Sequence, residues 1–236
     1  MTRELVYGRQ PVRELLRGPR EVHEVWASER ALKGEPWLRD APGIRVHVKP
    51  ERALSAAAET AEHQGVIAWA EPFRYAEALE LAGRERPLLV CLDQVTDPHN
   101  LGAVIRSAEG AGATGVVVPA PGSARVTPAV ARASAGGVEH LPVAVVPNLA
   151  RYLAEIKGDD LWVWAATGDS ETPMWSADFT GGTALVFGAE GRGLRPLVRK
   201  TCDAAVSIPL AGRVDSLNVS VAAGVLLYEA RRQRDA

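Results

Sequence analysis

From Leu88 onward the chain carries short, uninterrupted apolar runs: LLVCLD (88–93), GVVVP (115–119), VAVV (143–146), LWVWAA (161–166), ALVFG (184–188) and AAVSIPL (204–210). Runs of this length, rich in Val and apolar at nearly every position, suit strands buried on both faces of a parallel sheet. Helical stretches separate them: AVIRSAEGAGA (103–113), TPAVARASAGG (127–137), NLARYLAEI (148–156) and LRPLVRK (194–200), with SLNVSVAAGVLLYEARRQR (216–234) closing the series. The alternation predicts an α/β domain: a parallel sheet with helices on both faces.

The first 70 residues repeat the alternation on a smaller scale. Residues 20–26, 44–48 and 65–70 read as strands, and 11–17 and 51–60 as helices. Pro72, Gly83, Pro87 and the charged run GRERP (83–87) then mark an exposed linker. The expected organisation is a small α/β domain over 1–70, a linker over 71–86 and a larger domain over 87–236, each of ordinary domain size. No internal repeat or low-complexity segment interrupts it.

Composition narrows the function. With 47% hydrophobic and 24% charged residues the chain can bury a core, which excludes a disordered protein. A net charge of -2 excludes a polycation that coats nucleic acid by bulk electrostatics. All but four of the 27 basic residues are Arg, whose planar fork pairs with phosphate and stacks on bases. Arg3, Arg9, Arg13, Arg17 and Arg20 cluster around the first helix against Glu4 and Glu14, so contact with RNA would rest on placed side chains such as Arg9 and Arg13. Cys91 and Cys202 lie in apolar stretches and read as reduced thiols. The five His (23, 47, 63, 99 and 140) have no metal-ligand spacing, so no metal is expected. There is no G-x-S-x-G nucleophile elbow. No signal-peptide core and no apolar run of about 18 residues is present, and the expectation is a cytoplasmic protein without membrane contact.

Three segments place Gly, polar and charged residues at the carboxyl ends of predicted strands, where open α/β sheets bind ligands. In DQVTDPHNLGAVIRSAEGAGATG (93–115), Asp97-Pro98 makes a turn, Asn100 is placed to cap a helix and Arg106 lies within it. In VFGAEGRGLRP (186–196), Gly188, Gly191 and Gly193 bracket Glu190, so bare backbone can approach a flat or anionic group. The order G-x-x-G-x-G is not the dinucleotide fingerprint, which tells against a nicotinamide-dependent oxidoreductase. In SIPLAGRVDSLNVSVAAGVLL (207–227), Asp215 or Ser216 can cap the last helix, whose small residues permit close packing. Taken singly, each segment also reads as a plain turn or helix cap.

Together and in this order, NLGAVIRSAEGAGA, FGAEGRGL and IPLAGRVDSLNVSVAAGVLLYEA resemble the three motifs of the SpoU (TrmH-type) family of RNA ribose 2'-O-methyltransferases, within the SPOUT superfamily. The resemblance covers residues 88–234. The stretch from VYGRQPVRELL to HQGVIAW is similar to the small RNA substrate-binding domain of members that modify large-subunit ribosomal RNA.

The resemblance implies a C-terminal deep trefoil knot, S-adenosylmethionine as cofactor and a homodimer packed through knot-region helices. It implies cofactor contacts at Ala166, Thr167, Gly168, Gly188, Ala189, Glu190, Gly191, Ile208, Leu210, Ser216, Leu217 and Asn218. Catalytic roles fall on Asn100, Arg106, Glu190, Ser216 and Asn218, with Arg106 also reaching the RNA beside Arg9 and Arg13. Methyl transfer is an in-line displacement that builds negative charge on the ribose oxygen. A guanidinium with a pKa above 12 is a poor base, so Arg106 is expected to stabilise that alkoxide electrostatically. The expected substrate is a guanosine of 23S rRNA. A tRNA ribose, an rRNA adenosine and a non-catalytic ribosome-assembly role stay open as alternatives.

Overall fold

The computed structural model describes residues 3–41 and 43–236. In chain order the first elements are β1 (Glu4–Tyr7), α1 (Arg9–Leu15), β2 (Val22–Ala27), α2 (Glu29–Gly34), β3 (Val46–Val48), α3 (Glu51–Ala58) and β4 (Val66–Ala70). There follow α4 (Ala78–Ala82), β5 (Leu88–Asp93), α5 (Pro98–Gly110), β6 (Gly115–Pro119), α6 (Pro128–Ala133), β7 (Val143–Val146) and α7 (Leu149–Ile156). The chain closes with β8 (Leu161–Ala166), β9 (Gly182–Gly188), α8 (Pro196–Thr201), β10 (Ala204–Val206) and α9 (Val219–Arg234).

The chain divides into two compact units, and the division is discontinuous: residues 1–74 group with 126–140, and 75–125 with 141–236. The first unit holds a mixed sheet in the order β1-β4-β2-β3, in which β4 runs antiparallel to β1 and β2 while β2 and β3 are parallel. Val6, Val12, Leu15, Val25, Leu54 and Ile67 are fully or almost fully buried in it. α6 packs against β1 and α1. A Cβ on Gly136, which has φ +85, would stand 2.6 Å from Cβ of Glu14, so only glycine lets the chain after α6 pass so close to α1. Behind it Glu139, 1% exposed, accepts from Nε of Arg20 at 2.9 Å and Nη2 at 2.5 Å. Arg20 also donates to Glu4 Oε2 at 2.9 Å and to the carbonyl of Glu71. His140 Nε2 lies 2.8 Å from Glu14 Oε2.

The second unit is built on six strands in the order β10-β8-β9-β5-β6-β7, every neighbouring pair parallel. Leu89 and Cys91 of β5 and Ala184 and Val186 of β9 share one core with Leu81 of α4, Leu149 and Leu153 of α7 and Val198 of α8. By the two-residue period of a strand, Leu88, Val90 and Leu92 point to the opposite face. On that face α5 and α9 pack together, α5 contacting β6 and α9 contacting β9. The parallel sheet with helices on both faces is therefore as the apolar runs indicated.

Several local readings change. Asn100 does not cap α5: Asp97 does, its carboxylate accepting from the amide of His99 at 2.9 Å, because Pro98 supplies a first helical position that needs no donor. Neither Asp215 nor Ser216 caps α9; Asn218 does, accepting from the amide of Ser220 at 2.8 Å. The run 204–210 is a strand only to Val206, since Pro209 removes a ladder donor. Within the stretch read as a linker, only residues 83–86 are exposed without break: 78–82 form α4, Leu81 is buried, and Ala76 bridges to Ala144. Two elements that the apolar runs do not reveal, β1 and α2, complete the first unit.

Candidate active site

At the carboxyl ends of β8, β9 and β10 the second unit opens into a cleft of about 950 Å³. Residues 166–169 form one wall, 187–194 a second and Val206, Ile208 and Leu210 with 215–219 the third, and all twelve residues expected to meet a cofactor lie on these walls. Phe187, Ile208, Leu210, Leu217, Ala222 and Leu226 make part of the lining apolar, while Asp169, Glu190, Arg192, Arg199 and Asp215 bring charge to the rest.

The second wall is a tight loop. Beyond β9 the chain turns back so sharply that the amide of Gly193 donates to the carbonyl of Ala189 at 2.9 Å. A Cβ on Gly188 would lie 2.1 Å from the carbonyl carbon of Gly193, a distance no side chain can occupy. Gly191 and Gly193 take φ values of +71 and +64, which L-residues with side chains rarely adopt. Glu190 rides at the turn of this loop.

Asn218 Nδ2 donates to Glu190 Oε1 at 2.5 Å and to Asn100 Oδ1 at 2.9 Å. Asn100 Nδ2 donates to the same Glu190 oxygen at 3.4 Å. The Oδ1 of Asn218 accepts from the amide of Ser220 and, at 2.6 Å, from its hydroxyl. The three segments singled out in the sequence thus meet at one carboxylate. Ser216 lines the cleft but does not join this cluster among the described residues. Arg106 is exposed on α5, outside the cleft lining. In the first unit Arg9 donates from Nη1 to Glu35 at 3.1 Å and from Nε to the carbonyl of Gln64, and the Nε of Arg13 is buried without a partner.

Two pairs at the site escaped the sequence reading. Asp93, the last residue of β5, has a fully buried side chain that meets Arg195 Nη2 at 2.7 Å and Nε at 2.8 Å and accepts the Arg195 amide at 2.9 Å. The only sequence signal is a carboxylate ending a run otherwise apolar on both faces. At the edge of the cleft Arg199 Nη2 bridges both oxygens of Asp169, at 3.0 and 2.9 Å, and these bonds hold the Asp169 carboxyl below the usual carboxylate range. Burial pushes the thiol of Cys202 up to about 11, which makes it inert near neutral pH. Among the described residues no group of three or more His, Cys, Asp or Glu could hold a metal ion, and no helix is long and apolar enough to cross a membrane.

A parallel sheet whose strand ends form a glycine-looped cleft, part apolar and part charged, defines an α/β protein that holds a small amphipathic cofactor. Residues 87–228 match the model of the SpoU rRNA Methylase family, and residues 5–76 match that of RNA 2'-O ribose methyltransferase substrate binding. The chain belongs to the SpoU rRNA methylase family of S-adenosylmethionine-dependent RNA methyltransferases.

The 23S rRNA (guanosine-2'-O-)-methyltransferase RlmB of Pseudomonas syringae pv. tomato is 43% identical over 244 residues, which cover 99% of this chain and 97% of that protein. The enzyme of the same name from Ralstonia nicotianae is 45% identical over 222 residues, 91% of this chain and 89% of that one. Among solved structures, the SpoU methyltransferase AviRb from Streptomyces viridochromogenes in complex with AdoMet superposes with a TM-score of 0.81 at 29% identity, over 98% of this chain and 90% of that one.

Proposed function

We propose that this enzyme transfers the methyl group of S-adenosylmethionine to the ribose 2'-hydroxyl of a guanosine in 23S ribosomal RNA. The observation that carries the reading is the Glu190–Asn218–Asn100 cluster beside the glycine-looped cleft, in a chain similar from end to end to enzymes named for that reaction.

The residues present fit the cofactor. A cleft of about 950 Å³ holds a molecule of its size. Ile208, Leu210 and Leu217 offer apolar contact to a flat base, and the carboxylates of Glu190, Asp169 and Asp215 suit a cation. The bare backbone of Gly188 and Gly191 lets the loop lie close against it. When bound, the cofactor supplies a methyl group activated by a sulfonium. The protein aligns a ribose oxygen for in-line attack and stabilises the charge that grows on it. Arg106, exposed and without an ion pair or hydrogen bond among the described residues, is available for that task, and its proton stays in place while the hydroxyl proton passes to phosphate or water. Asn218 has both ends of its amide engaged, so its part is to fix Glu190 and the start of α9. Ser216 on the cleft wall serves the cofactor side.

The first unit would hold the RNA, its residues 5–74 falling within the match to the substrate-binding family. Arg9 enters such a role by exchanging Glu35 for a phosphate. The reading extends to a threaded C-terminal segment and a cytoplasmic homodimer. A Cβ on Gly168 would stand 3.5 Å from the Asp215 carbonyl, so the chain at Asp215 lies against the loop after β8, a closeness the threaded arrangement requires. Exposed Val214, Val221 and Tyr228 supply apolar contact for a second copy.

Primer-extension mapping of 23S rRNA ribose methylation in a deletion strain tests the reading. Loss of one guanosine signal, restored by the intact gene, is the expected result. An unchanged 23S pattern alongside a lost tRNA signal would overturn the rRNA assignment.

A further inference from the structure

The glycine loop between β9 and α8 does two jobs at once: it walls the cleft and carries Glu190 to Asn218. Its entrance and exit are held differently. The entrance is sheet-bound, Gly188 pairing in register with Asp93 on the neighbouring strand β5. The exit is Arg195, two residues beyond the last loop-closing hydrogen bond, from Gly193 to Ala189, and just before α8. Asp93 therefore stands beside one end of the loop and binds the other, through two guanidinium bonds and one amide bond.

We propose that Asp93 and Arg195 are positioning residues that set the Gly188–Arg195 loop for cofactor binding and thereby place Glu190 for catalysis. The inference rests on the reading of the cleft as the S-adenosylmethionine site. The Asp93 side chain is completely inaccessible and, among the described residues, takes all its hydrogen bonds from Arg195, which is itself partly exposed. A carboxylate taken fully out of water is costly unless charge and hydrogen bonds replace the lost hydration. Three bonds from one residue meet that need and leave the loop exit little freedom. With Gly191 and Gly193 in the left-handed region, the loop has no side chains of its own at those positions to fix its course. The clamp at its base substitutes for them.

Asp93→Asn keeps the shape and the amide bond but removes the charge. Arg195→Lys keeps the charge and the backbone amide but loses the planar fork, and its partly exposed position makes it the safer variant for folding. Calorimetry with S-adenosylhomocysteine on the full chain, with steady-state methylation of a 23S rRNA fragment, reads the effect. Asp93→Asn should weaken S-adenosylhomocysteine binding at least tenfold and lower kcat, with the KM for RNA unchanged; Arg195→Lys, which keeps a cation against Asp93, should show both losses to a smaller degree. A general loss of folding would instead lower the binding stoichiometry and the apparent kcat while the folded fraction kept wild-type affinity for S-adenosylhomocysteine, and that outcome overturns the positioning role. Wild-type cofactor affinity in both variants overturns it too, leaving the reading of the cleft intact. A wild-type chain that binds no S-adenosylhomocysteine overturns that reading, and the inference with it.

Discussion

Asn218 Nδ2 lies 2.5 Å from Glu190 Oε1 while the same side chain caps α9 through its Oδ1. One residue thus joins the start of the last helix to the glycine loop. Asn218→Ala should cost about 1 kcal/mol from the lost cap and reduce methyl transfer far more than that figure implies. Asn218→Asp keeps the cap acceptor but sets two carboxylates face to face. Its kcat/KM relative to wild type should rise as pH falls and one of them takes up a proton, a trend that a pH–rate series would reveal.

Arg106→Ala is expected to abolish methyl transfer with cofactor binding nearly intact, since Arg106 stands outside the cleft lining. Calorimetry with S-adenosylhomocysteine beside a tritiated-methyl assay separates the two effects. Full activity in the variant would remove Arg106 from the mechanism.

The glycines of the loop should differ sharply. Gly188→Ala has no room for its methyl group beside Gly193 and should lose cofactor binding. Gly191→Ala meets no atom within 4 Å and carries only the strain of its positive φ, about 1 kcal/mol. Equal losses in the two variants would refute the role of close backbone approach at Gly188.

The Arg20–Glu139 pair is buried on both sides, at 9% and 1% exposure. Arg20→Ala leaves Glu139 charged and unmatched and should destabilise the chain by about 3 kcal/mol, measured by urea unfolding. The double variant Arg20→Met, Glu139→Leu should recover much of that loss. Deleting residues 1–74 removes Arg20 and the packing of β1 and α1 against α6, so the truncated chain should unfold more readily and expose Val130 and Val138.

How much of this was legible follows from what each feature depends on. The strands β5, β6 and β9 are continuous apolar runs because both their faces are covered, and burial on both sides writes itself into nearly every position, whereas β10 at the sheet edge is mostly half-buried. β1 escaped because it is four residues long with a charged Glu4 at its start, and α2 because its six residues include only one that is buried. Glu190, Asn218 and Asn100 each sit in a Gly-rich or polar break at a strand or helix end, and it is the joint resemblance of the three motifs to the SpoU family that singles them out. Asp93 could not be singled out, since a single acid after five apolar residues reads as the edge of a strand until Arg195 is seen to reach it from a distant part of the chain. The caps of α5 and α9 were misplaced by a few residues because several adjacent side chains could have served.

The interleaved division of the chain has a consequence for how the protein is made. Arg20 and Glu4 leave the ribosome long before Glu139 has been synthesised, and β5 and β6 emerge in between. The first unit cannot complete its buried ion cluster until two strands of the second are already out, and it is whole once residue 140 has emerged, while the second still awaits residues 141–236. A nascent chain paused before residue 126 would hold an unfinished N-terminal half, and arrested chains released on either side of residue 140 should differ abruptly in protease resistance.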